Sequence, residues 1–295
     1  MQSPSSDASR RPPLDVTRLR RGVESPELSL FSRVEVVEAT GSTNADLIAR
    51  ASDPGAAGTV LLAETQQAGR GRHARSWTSP PRAQIAMSML VRPRGLEPAV
   101  LGWLPLLTGV AVVDALRAAA GVPAELKWPN DVLIGGRKVA GILAEVAASG
   151  GTPAVVVGVG VNVSLSAAEL PVPHAISLEL AGAAQVDRTA VVLAILAEFS
   201  RRFDAWRHAG GEPPEQAAAN PERGGTLRGP VLPEDSTART GSGSGSGSTT
   251  GSGSATDIQF LRESFFDDEP AEVQNAAIKL ARSQCAYLDT AGNSP

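Results

Sequence analysis

LKWPNDVLIGGRKVAGILAE, residues 126–145, carries the turn signals around which a mixed α/β pattern is arranged. The short β-like runs AELKW, DVLIGG and KVAGILAEVA are punctuated by Pro-Asn-Asp and by Gly135-Gly136, and the glycine pair suits a hairpin turn. Antiparallel strands about that turn bring the ammonium groups of Lys127 and Lys138 to one rim. Outward from this segment the pattern is mixed α/β. RVEVVEAT (33–40) alternates like a strand, STNADLIARA (42–51) reads as a capped short helix, and TVLLAET (59–65) and QIAMSMLVR (84–92) are apolar strands. Residues 101–120 are Ala, Leu and Val rich, as a buried helix requires, and AVVVGVGVNVSL (154–165) is a glycine-bearing strand. After Asp187, a helix N-cap, Val192, Ile195, Leu196, Phe199, Phe203 and Trp206 recur at helical spacing and form one apolar face.

Residues 29–212 are therefore expected to form one globular domain, preceded by a disordered Pro-, Ser- and Arg-rich segment (1–28). A flexible linker follows (213–256), first Pro-rich, then GSGSGSGSTTGSGS, whose fourteen residues as a random coil span roughly 20 Å. The tail (257–295) carries one amphipathic helix, and is either a fused peptide or a disordered end. The net charge of −4 gives no general attraction for nucleic acid. No apolar run is expected to cross a membrane, since Gly or charge interrupts each one before about 18 residues, and no secretory h-region is visible. The expectation is a cytoplasmic protein. One cysteine, Cys285, excludes an internal disulfide framework, and His73, His174 and His208 lack metal-ligand spacing.

Only three of the 27 basic residues are lysine: Lys127, Lys138 and Lys279. In a chain that writes Arg almost everywhere, a lysine marks a place needing a compact point charge, unless chance put it there. Every Asn before residue 220 (Asn44, Asn130, Asn162) falls within STNADLIARA, KWPND or GVGVNV. In TQQAGRGRHARSW (65–77), Arg70, Arg72 and Arg75 stand among glycines, which suits an anion-binding loop that orders around its ligand; a solvated basic hairpin is the competing reading. Trp77 offers an aromatic face for a purine, or a core side chain. In KWPND, Asn130 and Asp131 are placed to bind backbone, ribose or a Mg²⁺-linked water, or merely to make a β-turn with surface charges. GVGVNV (158–163) is no dinucleotide fingerprint, because no helix follows it; it permits close backbone approach and ends at Asn162, whose amide is free to read a base.

GSTN (41–44), the QQAGRGR loop, KWPND followed by RKVAGI, and GVGVN, in this order and spacing, resemble the catalytic domain of biotin protein ligases over residues 34–206. The resemblance implies an α/β (α+β) domain of the class II synthetase-like group, shared with lipoate ligases, in which a mixed, mainly antiparallel sheet is flanked by helices. It implies that Ser42, Thr43, Asn44 and Gln66 line a biotin pocket, that Arg70, Gly71 and Arg72 belong to the ligand-ordered loop, and that Lys138 contacts biotin near its carboxylate. Lys127, Asn130, Asp131 and Asn162 would face ATP, with Trp77 at the adenine end. Family members that repress transcription carry an N-terminal winged helix-turn-helix. Too little chain precedes the first strand here, so DNA binding is not expected. The usual C-terminal SH3-like barrel is not expected either, since no alternating strands follow Gly210.

The implied reaction is ATP-dependent formation of biotinyl-5'-AMP, with Mg²⁺, and transfer to a lysine of the biotin carboxyl carrier domain of an acetyl-CoA or acyl-CoA carboxylase. Arg72, Lys127 and Lys138 would neutralise developing charge. A homodimer is allowed for. The alternatives are a lipoate or related acyl ligase, and a biotin-binding module without turnover.

Overall fold

The computed structural model describes residues 11–211 apart from His73, Ala74, Trp128, residues 148–152 and Gln185. The expected linker and tail lie outside the described residues. Backbone contacts divide the chain into two units, Met1–Leu96 with Trp103–Leu227, and Glu97–Gly102 with Arg228–Pro295. Of the second unit only 97–102 is described, Glu97 leading into the 3-10 stretch Pro98–Trp103. The first unit holds the strands and the α-helices.

In chain order the elements are α1 (Val16–Val23), β1 (Arg33–Thr40), α2 (Thr43–Ala49), β2 (Thr59–Gln66), β3 (Gly69–Arg70), β4 (Ser76–Trp77), β5 (Gln84–Val91), α3 (Leu104–Ala120), β6 (Ala124–Lys127), β7 (Asp131–Ile134), β8 (Arg137–Ala147), β9 (Ala154–Asn162) and α4 (Arg188–His208). Seven strands make one sheet in the order β1-β2-β5-β9-β8-β7-β6, and β3 and β4 form a separate two-stranded ribbon. Within the large sheet β1 pairs parallel with β2 and every other pairing is antiparallel. This is the mixed, mainly antiparallel architecture expected. β5 is buried along its whole length and β9 nearly so, because both faces of these central strands are covered; that is why their sequences read as continuous apolar runs.

Directly paired residues share a face, so Lys127, Asp131, Gly141, Gly160 and Ala86 form one row across five strands. α2 sits on that face, with Leu47 packed among Leu61, Leu90 and Val156. The other face carries Leu126 against Gly109 of α3, where a Cβ would collide with the leucine, and Glu64 against Arg188 of α4. α4 starts on Asp187, whose carboxylate accepts the N–H groups of Thr189 and Ala190, and along one stripe Phe199 stacks on Phe203, against which Trp206 packs tilted. The run Val100–Ala120 corrects the expectation of interrupted apolar stretches. It is long and apolar enough to cross a membrane by composition, yet 67% of its apolar window is buried in the protein, and α3 packs on α4 and the sheet.

The disordered segment expected over 1–28 is also corrected for its described part. Asp15 caps α1, Leu19 and Val23 are buried, and a 3-10 turn at Pro26–Leu28 follows. Arginines at 18, 20 and 21 masked this in the sequence, but they lie on the outer side while the sparse apolar positions face inward. A buried ion pair, Glu64–Arg188 at 2.7 Å, fixes the strap. Glu64 accepts the Leu14 N–H at 2.7 Å, and Arg188 donates to Pro12 O at 2.7 Å.

Candidate active site

The turn between β1 and α2, the β3–β4 ribbon and the hairpin strand β8 converge above the glycine-bearing part of β9. Ser42 is the N-cap of α2, its Oγ accepting the Ala45 N–H at 3.4 Å, which points the first helical turn at the sheet. Thr43 and Asn44 follow directly and are buried. The Thr43 N–H donates to Gln66 Oε1 at 2.9 Å, and the single Thr43 hydroxyl proton is shared between Gln66 Oε1 (3.0 Å) and Ser88 Oγ (2.7 Å). Ser88 in turn donates to Asn44 Oδ1 at 2.5 Å, and Asn44 Nδ2 donates to Leu143 O (3.1 Å) and Glu145 Oε2 (2.7 Å). The result is a preorganised polar corner able to meet a neutral group that both donates and accepts.

Beside this corner the floor is bare backbone. A Cβ at Gly158 would run into the Asn44 amide, one at Gly160 would lie 2.6 Å from Trp77 Cε2, and one at Gly141 would lie 3.2 Å from both Trp77 Cζ3 and Lys138 Nζ. The expectation of close backbone approach at GVGVN therefore holds for Gly158 and Gly160, and Gly141 from the neighbouring strand extends the same surface.

Lys138 reaches this face through an irregularity. Val132 pairs with Ala140 but Leu133 pairs with Lys138, so Val139 is an extra residue on β8. Residues three apart on a regular strand point to opposite faces; the bulge puts Lys138 and Gly141 on the same one. Lys138 Nζ then lies 2.6 Å from Asp131 Oδ1 and 5.5 Å from the centroid of the Trp77 ring. Its backbone is held by the segment after β9, which accepts its N–H at His174 O (2.8 Å) and donates to its carbonyl from Ile176 N (2.9 Å).

The ribbon carries the arginines. Its root is fixed by the Gln67 N–H on Thr40 O (2.9 Å) and the Ala68 N–H on Gly41 O (2.8 Å). Gly69 faces Trp77 in the register, where a Cβ would strike the Trp77 carbonyl. Arg70 is tied to Glu145 at 3.0 Å, so the ribbon, β8 and Asn44 share one carboxylate.

Ten of the thirteen expected site residues line this cavity: Ser42, Thr43, Asn44, Gln66, Arg70, Gly71, Arg72, Trp77, Asn130 and Lys138. Asn130 does so with its amide spent on β8, Nδ2 donating to Ile142 O at 2.9 Å. Three stand outside the lining. Asp131 is one step behind it, holding Lys138. Lys127 lies opposite Asp131 in register and so shares the face with Lys138, but it is exposed and stands outside the lining. Asn162 is 4% exposed, and its Nδ2 donates to Ile176 O at 3.1 Å, anchoring the segment that flanks Lys138. Sequence reasoning missed Ser88, Glu145, Gln84 and Gly141. Ser88 left a trace as the one hydroxyl in its strand, and Gly141 lay within RKVAGI.

The family described as "Biotin/lipoate A/B protein ligase family" matches over residues 37–162. A biotin–[acetyl-CoA-carboxylase] ligase of Mycobacterium tuberculosis is 47% identical over 203 residues, covering 68% of this chain and 74% of that one. The bifunctional ligase/repressor BirA of Escherichia coli is 33% identical over 183 residues, covering 61% of this chain and 56% of its own length. Among solved structures, a biotin protein ligase from Aquifex aeolicus in complex with biotin and ATP aligns with a TM-score of 0.52 at 32% identity, over 61% of this chain and 74% of that one. A Leishmania major biotin protein ligase in complex with biotinyl-5-AMP shares the fold, with a TM-score of 0.54 at 21% identity, over 68% of this chain and 85% of that one.

Proposed function

Because the chain belongs to the biotin protein ligases of the biotin/lipoate A/B protein ligase family, we propose that its cavity joins biotin to ATP and hands the biotinyl group to a carrier lysine. The observation that carries this reading is the union, over one glycine floor, of the polar corner at Ser42–Asn44 and Gln66, the arginine ribbon, and Lys138. A cyclic urea needs paired donors and acceptors, which the Thr43–Ser88–Asn44–Gln66 network supplies; an acyl chain needs a smooth slot, which Gly158, Gly160 and Gly141 supply. The slot ends at Lys138, so a carboxylate there meets an ammonium already fixed by Asp131.

In the first step a biotin carboxylate oxygen bonds to the α-phosphorus of ATP and the bond to pyrophosphate breaks. Lys138 and Arg72 offset negative charge and hold the reactants in line, with Lys127 further out on the same face. Among the described residues no cluster of three or more His, Cys, Asp or Glu side chains exists. The described residues thus offer no ready-made cage, which fits Mg²⁺ arriving as substrate on the ATP phosphates. In the second step the carrier amine bonds to the acyl carbon, AMP leaves, and the amine's proton passes to solvent. The carrier is a biotin carboxyl carrier domain of an acetyl-CoA or acyl-CoA carboxylase, and the setting is the cytoplasm.

ATP–pyrophosphate exchange on the full chain, run with biotin, lipoate and octanoate in parallel, tests the assignment. Exchange driven by biotin alone is expected. Exchange driven by an aliphatic acid and not by biotin would transfer the chain to the lipoate branch.

A further inference from the structure

Ligand sites for molecules of this size span roughly 300–1,000 Å³, yet the cavity above the glycine floor measures about 60 Å³. The reason is a ring lying in the slot: the Trp77 indole rests on Gly160 and Gly141, where an acyl chain running from the polar corner to Lys138 would have to pass. Two contacts keep it there, the cation–π approach of Lys138 and a hydrogen bond from Trp77 Nε1 to Gln84 Oε1 at 2.5 Å.

Gln84 is fully buried at the start of β5, and its backbone carbonyl accepts Arg188 Nη1 at 3.1 Å, so it is anchored to the buried Glu64–Arg188 pair. An indole N–H can only donate, so Gln84 must turn its oxygen toward Trp77 and its NH₂ away. In that orientation Gln84 Nε2 is buried without an acceptor among the described residues. The parked ring is thus held by one good hydrogen bond at the expense of one stranded donor, a balance that a ligand of modest affinity can tip.

We propose that Gln84 is a positioning residue that parks the Trp77 indole on the glycine floor, and that the acyl ligand binds by displacing the ring. The identity of that ligand rests on the ligase reading; the parking does not.

The test uses the full chain and two variants, Gln84→Met and Trp77→Phe, the second keeping a ring but no donor. In the absence of ligand, acrylamide quenching of tryptophan fluorescence is expected to rise in Gln84→Met relative to wild type, with Trp77→Phe supplying the baseline of the other tryptophans. Unchanged quenching overturns the parking. By calorimetry each variant is expected to bind biotin about two- to tenfold more tightly than wild type, the worth of the lost hydrogen bond. Because both remove the same bond, the double variant is expected to gain no more than either alone. Additive gains, or weaker binding in Trp77→Phe despite a folded spectrum, overturn the displacement. Absence of biotin heat from all four chains would overturn the ligase reading and its displacement step, while the quenching result would still decide the parking.

Discussion

At Lys138 three demands meet: a bulge aims the side chain, Asp131 fixes its ammonium, and Gly141 leaves room for it beside Trp77. Lys138→Ala is expected to lower biotin-dependent pyrophosphate exchange roughly 10- to 150-fold, the worth of one charge-assisted contact, while thermal stability changes little. Lys138→Arg is expected to rescue poorly, since a planar fork does not fit a slot shaped for a point charge. Gly160→Ala puts a methyl on the floor and is expected to raise KM for biotin about tenfold or more, with a smaller effect on KM for ATP, measured by the same exchange assay. The rarity of lysine and asparagine made Lys138, Asn44 and Asn130 legible in the sequence. Rarity could not tell a lining residue from a strut. Lys127 and Asn162 are as unusual as the others, but their surroundings depend on cross-strand neighbours and on the 174–178 segment, which the linear pattern does not display. Gln84 and Glu145 were invisible for the same reason: their partners are 7 and 75 residues away, Trp77 and Arg70.

At the scale of elements, the strands and the two long helices could be read because burial imposes period and caps impose ends. Asp187 caps α4 as its sequence context indicated, and Gly135 and Gly136 take the positive φ of 55° and 75° that their hairpin requires. The first helix could not be read, because its fixing points are polar and distant. The Glu64–Arg188 pair sits under α4, the strap and β5 together, with both side chains under a tenth exposed. Glu64→Leu leaves the guanidinium buried without its anion and strands the Leu14 N–H. It is expected to cost about 3–5 kcal/mol in urea unfolding, among the largest single losses in this fold. Biotin affinity in that variant should also shift, since Gln84 loses part of its anchor.

For the whole molecule, acid should loosen the N-terminal strap before it opens the sheet. The Arg11 hydrogen bond holds the Glu169 carboxyl below its ordinary value of 4.5, in spite of partial burial, with help from Ser166. A carboxyl lowered in the folded state contributes stability that is complete above its unfolded value and disappears as pH falls through the lower folded one. Amide exchange of residues 11–23 is therefore expected to accelerate on acidification below 4.5, ahead of β5 and β9, and Glu169→Gln should show the faster exchange already at neutral pH. The proposed chemistry comes down to one slot, floored by glycine and edged by cations, in which biotin would be activated for a carrier. Mass spectrometry of a biotin carboxyl carrier domain incubated with the full chain, biotin, ATP and Mg²⁺ tests it most directly. The expected result is a gain of one biotinyl group on one lysine that depends on ATP and fails with Lys138→Ala. A carrier of unchanged mass under those conditions, with the ligase chain folded and the carrier accepted by another ligase, would contradict it.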